Sequence, residues 1–208
     1  FMQELQIVSV IPCGRGKSSI RFENGMEVFL YRGEMKRLCL REGDFISGEL
    51  YEKILYEIIG TRAKKRALFL LEHMERTERQ LREKLRQNGY PEVCIEEAIT
   101  YVKEYHYVDD YRYAGAYIRC HQGKKSRQRL RADLLAKGIG RDTVERAIEE
   151  EFCSDEREQI RSLLEKRDYV KKSADPRERQ KIYRFLLGRG FQSSDILHTM
   201  RILDESEE

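Results

Sequence analysis

The spacing of apolar positions changes once along this chain. Near the N-terminus Leu5, Ile7, Ser9 and Ile11 alternate with Gln6, Val8 and Val10 until Pro12, Cys13 and Gly14 interrupt the run, the period-two pattern of a strand. Residues 19–22 and 26–31 flank Glu23-Asn24-Gly25, and Asn-Gly predicts a tight hairpin because both residues tolerate positive φ. A short helix is expected over 34–40, and Ser47 offers a hydroxyl cap for a helix running to about residue 59. From Arg62 onward proline and alternating runs almost vanish. Apolar residues then recur every three or four positions, so the rest of the chain reads as short helices.

Within the helical part the pattern repeats. Leu81, Leu85 and Gly89 recur as Leu130, Leu134 and Gly138, and again as Ile182, Leu186 and Gly190. The agreement continues through Tyr90, Ile139 and Phe191, then Ile95, Val144 and Ile196, then Ile99, Ile148 and Met200. Copies about 50 residues apart imply stacked supersecondary units. Each unit is expected to hold three helices, over 62–74, 77–88 and 91–105, then 109–121, 126–137 and 141–152, then 155–167, 176–189 and 193–203. Thr77 with Gln80, Asp155 with Glu158, and Asp175-Pro176 with Glu178 have capping-box spacing, and the three repeated glycines stand where a left-handed helix stop falls. The fold class expected is mainly α: a tandem array of three three-helix repeats after a small strand-rich module. The divisions fall at 1–60, 61–106, 107–153 and 154–208. With helices of about 20 Å, three units in a row predict an elongated molecule of roughly 60 to 80 Å.

Composition narrows the function only a little. The 208 residues carry 40 Lys and Arg against 37 Asp and Glu, a net charge of +3, so any electrostatic role must come from local clustering. No run approaches the roughly 18 apolar residues of a membrane span, and the first residues lack the order of a secretory signal, so a soluble cytoplasmic protein is expected. Cys13, Cys39, Cys94, Cys120 and Cys153 lie far apart with no ligand spacing, which predicts ordinary buried or half-buried thiols, no disulfide, no metal and no cofactor.

Catalytic constellations are scarce. His73, His106, His121 and His198 fall in separate stretches, and Gly14-Arg15-Gly16-Lys17-Ser18 lacks the spacer and following helix of a phosphate loop, so it reads as a hairpin turn. Asp109 and Asp110 precede an apolar helix and suit its positive end, while Glu149, Glu150 and Glu151 read as a solvated face. Tyr101, Tyr105, Tyr107, Tyr111, Tyr113 and Tyr117 crowd the join between the first two units, where burial would fasten them together. The distinctive stretch is basic: Arg119, Lys124, Lys125, Arg127, Arg129 and Arg131, with no acid between Arg119 and Ala132, and Arg112 on the approach. Gly123 breaks one helix and Ser126 starts the next, placing Lys124 and Lys125 beside free helix amides, a setting for phosphates or carboxylates. The same approach in unit one alternates Arg76, Arg79, Arg82 and Arg86 with glutamates, which favours surface pairs.

Asp109-Asp110-Tyr111-Arg112-Tyr113-Ala114, followed by Tyr117, Arg119, Gly123, Lys124, Ser126, Arg127, Leu130, Leu134 and Lys137-Gly138-Ile139, resembles the bacterial RecX family of recombinase regulators. The resemblance runs from about residue 62 to 203 and is most specific in unit two; the strand-rich start resembles an extension present in some members. It implies a non-enzymatic modulator that lies in the groove of the RecA–DNA filament and limits filament extension, ATP hydrolysis and strand exchange. On that view Arg112, Arg119, Lys124, Lys125, Arg127, Arg129 and Arg131 meet RecA, DNA or both. Weak binding to single- and double-stranded DNA and a monomeric state are expected. Replacing Lys124, Lys125, Arg127 and Arg129 together by Ala is expected to abolish inhibition without unfolding the chain. The competing reading is a stand-alone DNA-binding helical module, and an inert adaptor using the tyrosine-rich and acidic faces comes after it.

Overall fold

The computed structural model describes residues 4–172 and 175–205, and the chain divides into two compact units, Phe1–Asp109 and Asp110–Glu208. The first unit opens with strands β1 (Leu5–Gly14), β2 (Lys17–Phe22) and β3 (Glu27–Tyr31), joined later by β4 (Phe45–Ile46), in an antiparallel sheet of order β3-β2-β1-β4. Gly14 pairs with Lys17, so Arg15 and Gly16 alone make the turn, at φ 50° and 71°. Positive φ at both central residues is the mark of a type I′ hairpin, and the Gly-Arg-Gly-Lys-Ser stretch is such a turn leading into a strand. The Asn24-Gly25 hairpin differs from expectation. Only Gly25 has positive φ, 81°; its N–H donates to the Phe22 carbonyl and the Phe22 N–H to that of Met26, both at 2.9 Å. This is a three-residue loop with one left-handed position, which lets Asn24 keep an ordinary backbone.

After α1 (Arg32–Arg37), the Ser47 hydroxyl caps α2 (Gly48–Glu52) by accepting the Leu50 N–H at 3.2 Å. The helix then widens into a π-helical segment, Lys53–Gly60, and continues as α3 (Thr61–His73). The break expected between residues 60 and 61 is therefore absent. Ile54, Leu55 and Ile59 are buried with Ala63 and Ala67, so burial continues along one helix through that point. Helices α4 (Glu78–Gln87) and α5 (Glu92–Glu104) complete the first repeat. Its Leu81, Leu85, Ile95 and Ile99 share one core with Ile7, Ile20, Phe22, Val28 and Leu30 of the sheet.

The second unit holds two repeats. Helices α6 (Asp110–His121), α7 (Arg127–Ala136) and α8 (Arg141–Glu151) enclose Ile118, Leu130, Leu134, Val144 and Ile148. Helices α9 (Glu156–Glu165), α11 (Pro176–Gly188) and α12 (Ser193–Glu205) enclose Ile160, Leu164, Ile182, Leu186, Ile196 and Met200. The repeated glycines all adopt left-handed φ, 81° at Gly89, 88° at Gly138 and 85° at Gly190, just past the second helix of each repeat. An unforeseen short helix, α10 (Tyr169–Lys172), lies in the connection before α11, anchored by Tyr169, which is buried and donates to Asp204 at 3.2 Å. Burial pushes the Tyr169 hydroxyl up to about 12.

The thiols depart from expectation: Cys94 is buried, whereas Cys13, Cys39, Cys120 and Cys153 are exposed. Cys94 donates to the Leu55 carbonyl at 3.3 Å, and burial pushes its thiol up to about 11. A second polar oddity lies on α9, where both amide atoms of buried Gln159 lack a partner among the described residues. An unsatisfied buried amide costs roughly 1 to 3 kcal/mol, and Met has nearly the same shape without that need. Gln159→Met is expected to raise stability by about 1 kcal/mol, seen as a higher urea midpoint; a lower midpoint would mean the amide is satisfied in solution.

Candidate interaction surface

The basic turn predicted from the sequence is built by two repeats. Ser126 is fully buried and its Oγ accepts the Arg129 N–H at 3.1 Å, capping α7. In the first repeat Thr77 makes a reciprocal box, because Gln80 three residues on returns its side-chain oxygen to the Thr77 N–H at 3.2 Å. Ser126 has Arg129 at that position and no such return. Its N–H instead donates to the Arg189 carbonyl of the third repeat at 3.2 Å, and the Arg189 guanidinium donates to the Lys124 carbonyl at 3.0 Å. The first N–H of α7, that of Arg127, donates to the Glu156 carboxylate at 2.7 Å. The helix terminus expected to stand open for an anion already holds a carboxylate from α9.

The seven expected site residues divide by their partners. Arg131 grips Glu145 through two bonds of 2.7 and 2.8 Å, and Arg119 pairs with Glu151 at 2.6 Å. Arg129 reaches Asp133 at 3.0 Å. Lys125 does not project toward the helix terminus but folds back, with Asp133 at 2.7 Å and the Tyr117 hydroxyl at 2.9 Å. Burial works against both charges of this pair. The hydrogen bonds win: Lys125 is held above the ordinary lysine value, and the Lys125 and Tyr117 donors hold Asp133 below the usual carboxylate range. Arg127 lies over the Phe152 ring, 4.9 Å from its centroid, while Lys124 and Arg112 are exposed. Neither Lys124 nor Arg127 has a carboxylate partner for its side chain among the described residues.

The acids that neutralise this stretch come from outside it. Glu151 pairs with Arg119, and Glu150 takes the Tyr111 hydroxyl and Arg146, so the acidic run works as a set of partners for α6 and α8. Tyr113, Tyr117 and His121 succeed one another at four-residue steps on α6. The His121 ring stacks 4.1 Å from Tyr117, and Lys137 lies over both tyrosines at 5.8 and 5.2 Å. In the first unit Tyr105 and Tyr107 are 61% and 50% exposed, so burial does not account for them. Sequence reasoning missed Arg189 and Arg167, whose guanidinium carbons lie 4.3 and 3.5 Å from the Phe185 ring centroid. A signal for the first existed: without an acid or amide at position 129, the Ser126 N–H needs an acceptor from elsewhere.

Among the described residues no group of three His, Cys, Asp or Glu could hold a metal ion, and no helix is long and apolar enough to cross a membrane. Fold and surface define a protein of tandem three-helix repeats whose charged turn is shaped jointly by two neighbours. Family models described as the first, second and third three-helix domains of RecX match residues 63–101, 109–148 and 155–200. The Regulatory protein RecX of Caldanaerobacter subterraneus subsp. tengcongensis is 34% identical over 161 residues, covering 76% of this chain and 79% of that one. That of Vibrio parahaemolyticus is 33% identical over 144 residues, covering 69% and 92%. A crystal structure of RecX from Lactobacillus salivarius aligns at a TM-score of 0.59 with 26% identity, covering 71% of this chain and 97% of that one. The chain belongs to the RecX family.

Proposed function

We propose that this protein is a non-enzymatic regulator of the RecA recombinase, binding the groove of the RecA–DNA filament in the cytoplasm and limiting its extension, ATP hydrolysis and strand exchange. The observation that carries the reading is the match to all three RecX domains in order, with relatives named as regulatory proteins. The surface supports it. Lys124 and Arg127 are exposed at a turn fixed by its neighbours, Arg112 is exposed near the start of α6, and Arg119, Lys125, Arg129 and Arg131 pair with carboxylates of the same unit. The protein acts as a monomer, and its affinity for naked single- or double-stranded DNA is weak.

The test is RecA ATP hydrolysis on single-stranded DNA titrated with this protein, beside its binding to naked DNA at two salt concentrations. Inhibition well below the concentration that saturates naked DNA is expected, and Lys124→Ala with Arg127→Ala is expected to weaken it at least about tenfold. Inhibition only where naked DNA is also saturated would replace this reading by simple competition for DNA. The fourfold Lys124, Lys125, Arg127 and Arg129 variant is a poor test, because it strips Asp133 of both its cations.

A further inference from the structure

We infer that the third repeat carries, between α11 and α12, a docking groove for an acidic amphipathic helix of another protein. The inference goes beyond the regulation proposed above and uses none of the basic-turn residues. It comes from comparing the repeats position by position. Aligned on their glycines, Arg82 and Glu96 of the first repeat correspond to Arg131 and Glu145 of the second and to Tyr183 and Leu197 of the third. In the first two repeats an ion pair closes the surface between the second and third helices there: Arg82 meets Glu96 at 3.0 Å, and Arg131 meets Glu145 at 2.7 and 2.8 Å. The third repeat has no charge at either position, and Leu197 is 51% exposed. An adjoining pair shows that the register holds. Glu78 with Lys103 at 2.7 Å recurs, with the charges exchanged, as Arg179 with Asp204 at 3.0 Å.

In place of that ion pair lies a cleft of about 250 Å³, lined by Pro176, Arg179, Gln180, Tyr183, Leu197 and Met200. Small-molecule sites span roughly 300 to 1,000 Å³, so this one suits one or two inserted side chains rather than a whole ligand. Its walls are set. The Tyr183 hydroxyl shares a hydrogen bond of 2.8 Å with the Ser193 Oγ at the start of α12, Arg179 is held by Asp204, and buried Met200 offers an adaptable thioether. Tyr, Met and Arg around an apolar centre are the residue types enriched in protein interfaces. Charge selects the occupant. Arg177 and Arg184 are exposed about one turn before and after Gln180, and neither has a carboxylate partner among the described residues. Glu178 between them is engaged by Lys181 at 3.3 Å. The occupant therefore brings carboxylates, whereas a second copy of this chain would bring the same arginines. Among its described residues the third repeat has helices and no sheet edge, so an extended peptide finds no strand to pair with and a helix laid in the groove is the mode that fits.

The experiment measures, by fluorescence anisotropy, binding of the full chain to a labelled synthetic helix of Glu and Ala that carries two Leu four residues apart. The helix should bind, and versions with Leu replaced by Ser, or Glu by Lys, should bind at least about tenfold more weakly. Tyr183→Arg with Leu197→Glu gives the third repeat the ion pair its neighbours carry, and should weaken binding at least about tenfold with an unchanged urea midpoint. Arg177→Gln with Arg184→Gln, on exposed side chains that fold does not depend on, should weaken binding and reduce its salt dependence. No binding of the acidic helix by wild type, equal binding of the Lys version, or unchanged affinity in either variant would each overturn the inference. So would dimerisation of wild type that the groove variant abolishes in sedimentation equilibrium, which would assign the groove to a second copy. RecA ATP hydrolysis, read on the groove variant with its basic turn intact, judges the proposed regulation separately, because either readout can fail while the other stands.

Discussion

Gly190→Ala is expected to destabilise the second unit by about 3 kcal/mol, read as a fall in its urea midpoint. Gly190 has φ of 85°, where an L side chain strains the backbone by roughly 1 to 2 kcal/mol. Crowding adds to this. A Cβ would stand 2.6 Å from the Ser126 Oγ, 2.7 Å from the Arg129 Cβ and 3.2 Å from the Arg129 N, the atoms that start α7. Overpacking of that kind costs roughly 1 to 3 kcal/mol more, and here the neighbours are a buried cap and backbone. Gly43→Ala is the internal standard. It has nearly the same φ, 88°, and nothing within 4 Å of the added carbon, so only the backbone strain of roughly 1 to 2 kcal/mol applies. Equal losses in the two variants would show that the join between the repeats yields without cost.

Asp133→Asn should cost about 2 kcal/mol at neutral pH, measured by urea unfolding. The carboxylate accepts from Lys125 at 2.7 Å, Arg129 at 3.0 Å and the Tyr117 hydroxyl at 3.1 Å, and its side chain is 16% exposed. Hydrogen bonds to a charged group contribute roughly 1.5 to 3 kcal/mol, and the amide loses the charge while turning donors toward cations. The effect depends on pH. Because the folded Asp133 sits below the usual carboxylate range, its contribution is complete above about pH 5 and is lost as pH falls through its lowered value. The gap between wild type and variant should therefore hold steady from about pH 6 to 8 and close in acid, as pH falls below the usual carboxylate range. A gap that persists undiminished in acid would assign the loss to shape rather than charge.

Periodicity made the helical repeats legible, because buried Leu81, Leu85, Leu130, Leu134, Ile182 and Leu186 must recur on one helix face and each glycine must end its helix in a left-handed step. Charge was not legible in the same way. Between Arg119 and Ala132 the chain reads as purely basic, yet Arg131 meets Glu145 fourteen residues on, and Glu151 and Glu156 arrive only when α8 and α9 pack. A local window counts charges along the chain, whereas pairing is decided across helices. The widened Lys53–Gly60 turn was hidden for a related reason: apolar spacing was matched to a period of 3.6, and a π-helical segment shifts that phase without changing residue type. Arg15 and Gly16, not Asn24 and Gly25, form the two-residue turn, since strand register decides how many residues remain between paired ends.

The uninterrupted helix from Gly48 to His73 bears on how parts of this protein can be exchanged with relatives. A chimaera joined at residue 61 would cut that helix and sever Ile54, Leu55 and Ile59 from the Ala63, Ala67 and Cys94 they are buried with. A join between Asp109 and Asp110 leaves every apolar cluster whole. The strands at the start of the chain thus travel with the first repeat as one heritable block, and swaps that respect the block are the ones in which a change of function can be read apart from a change of fold.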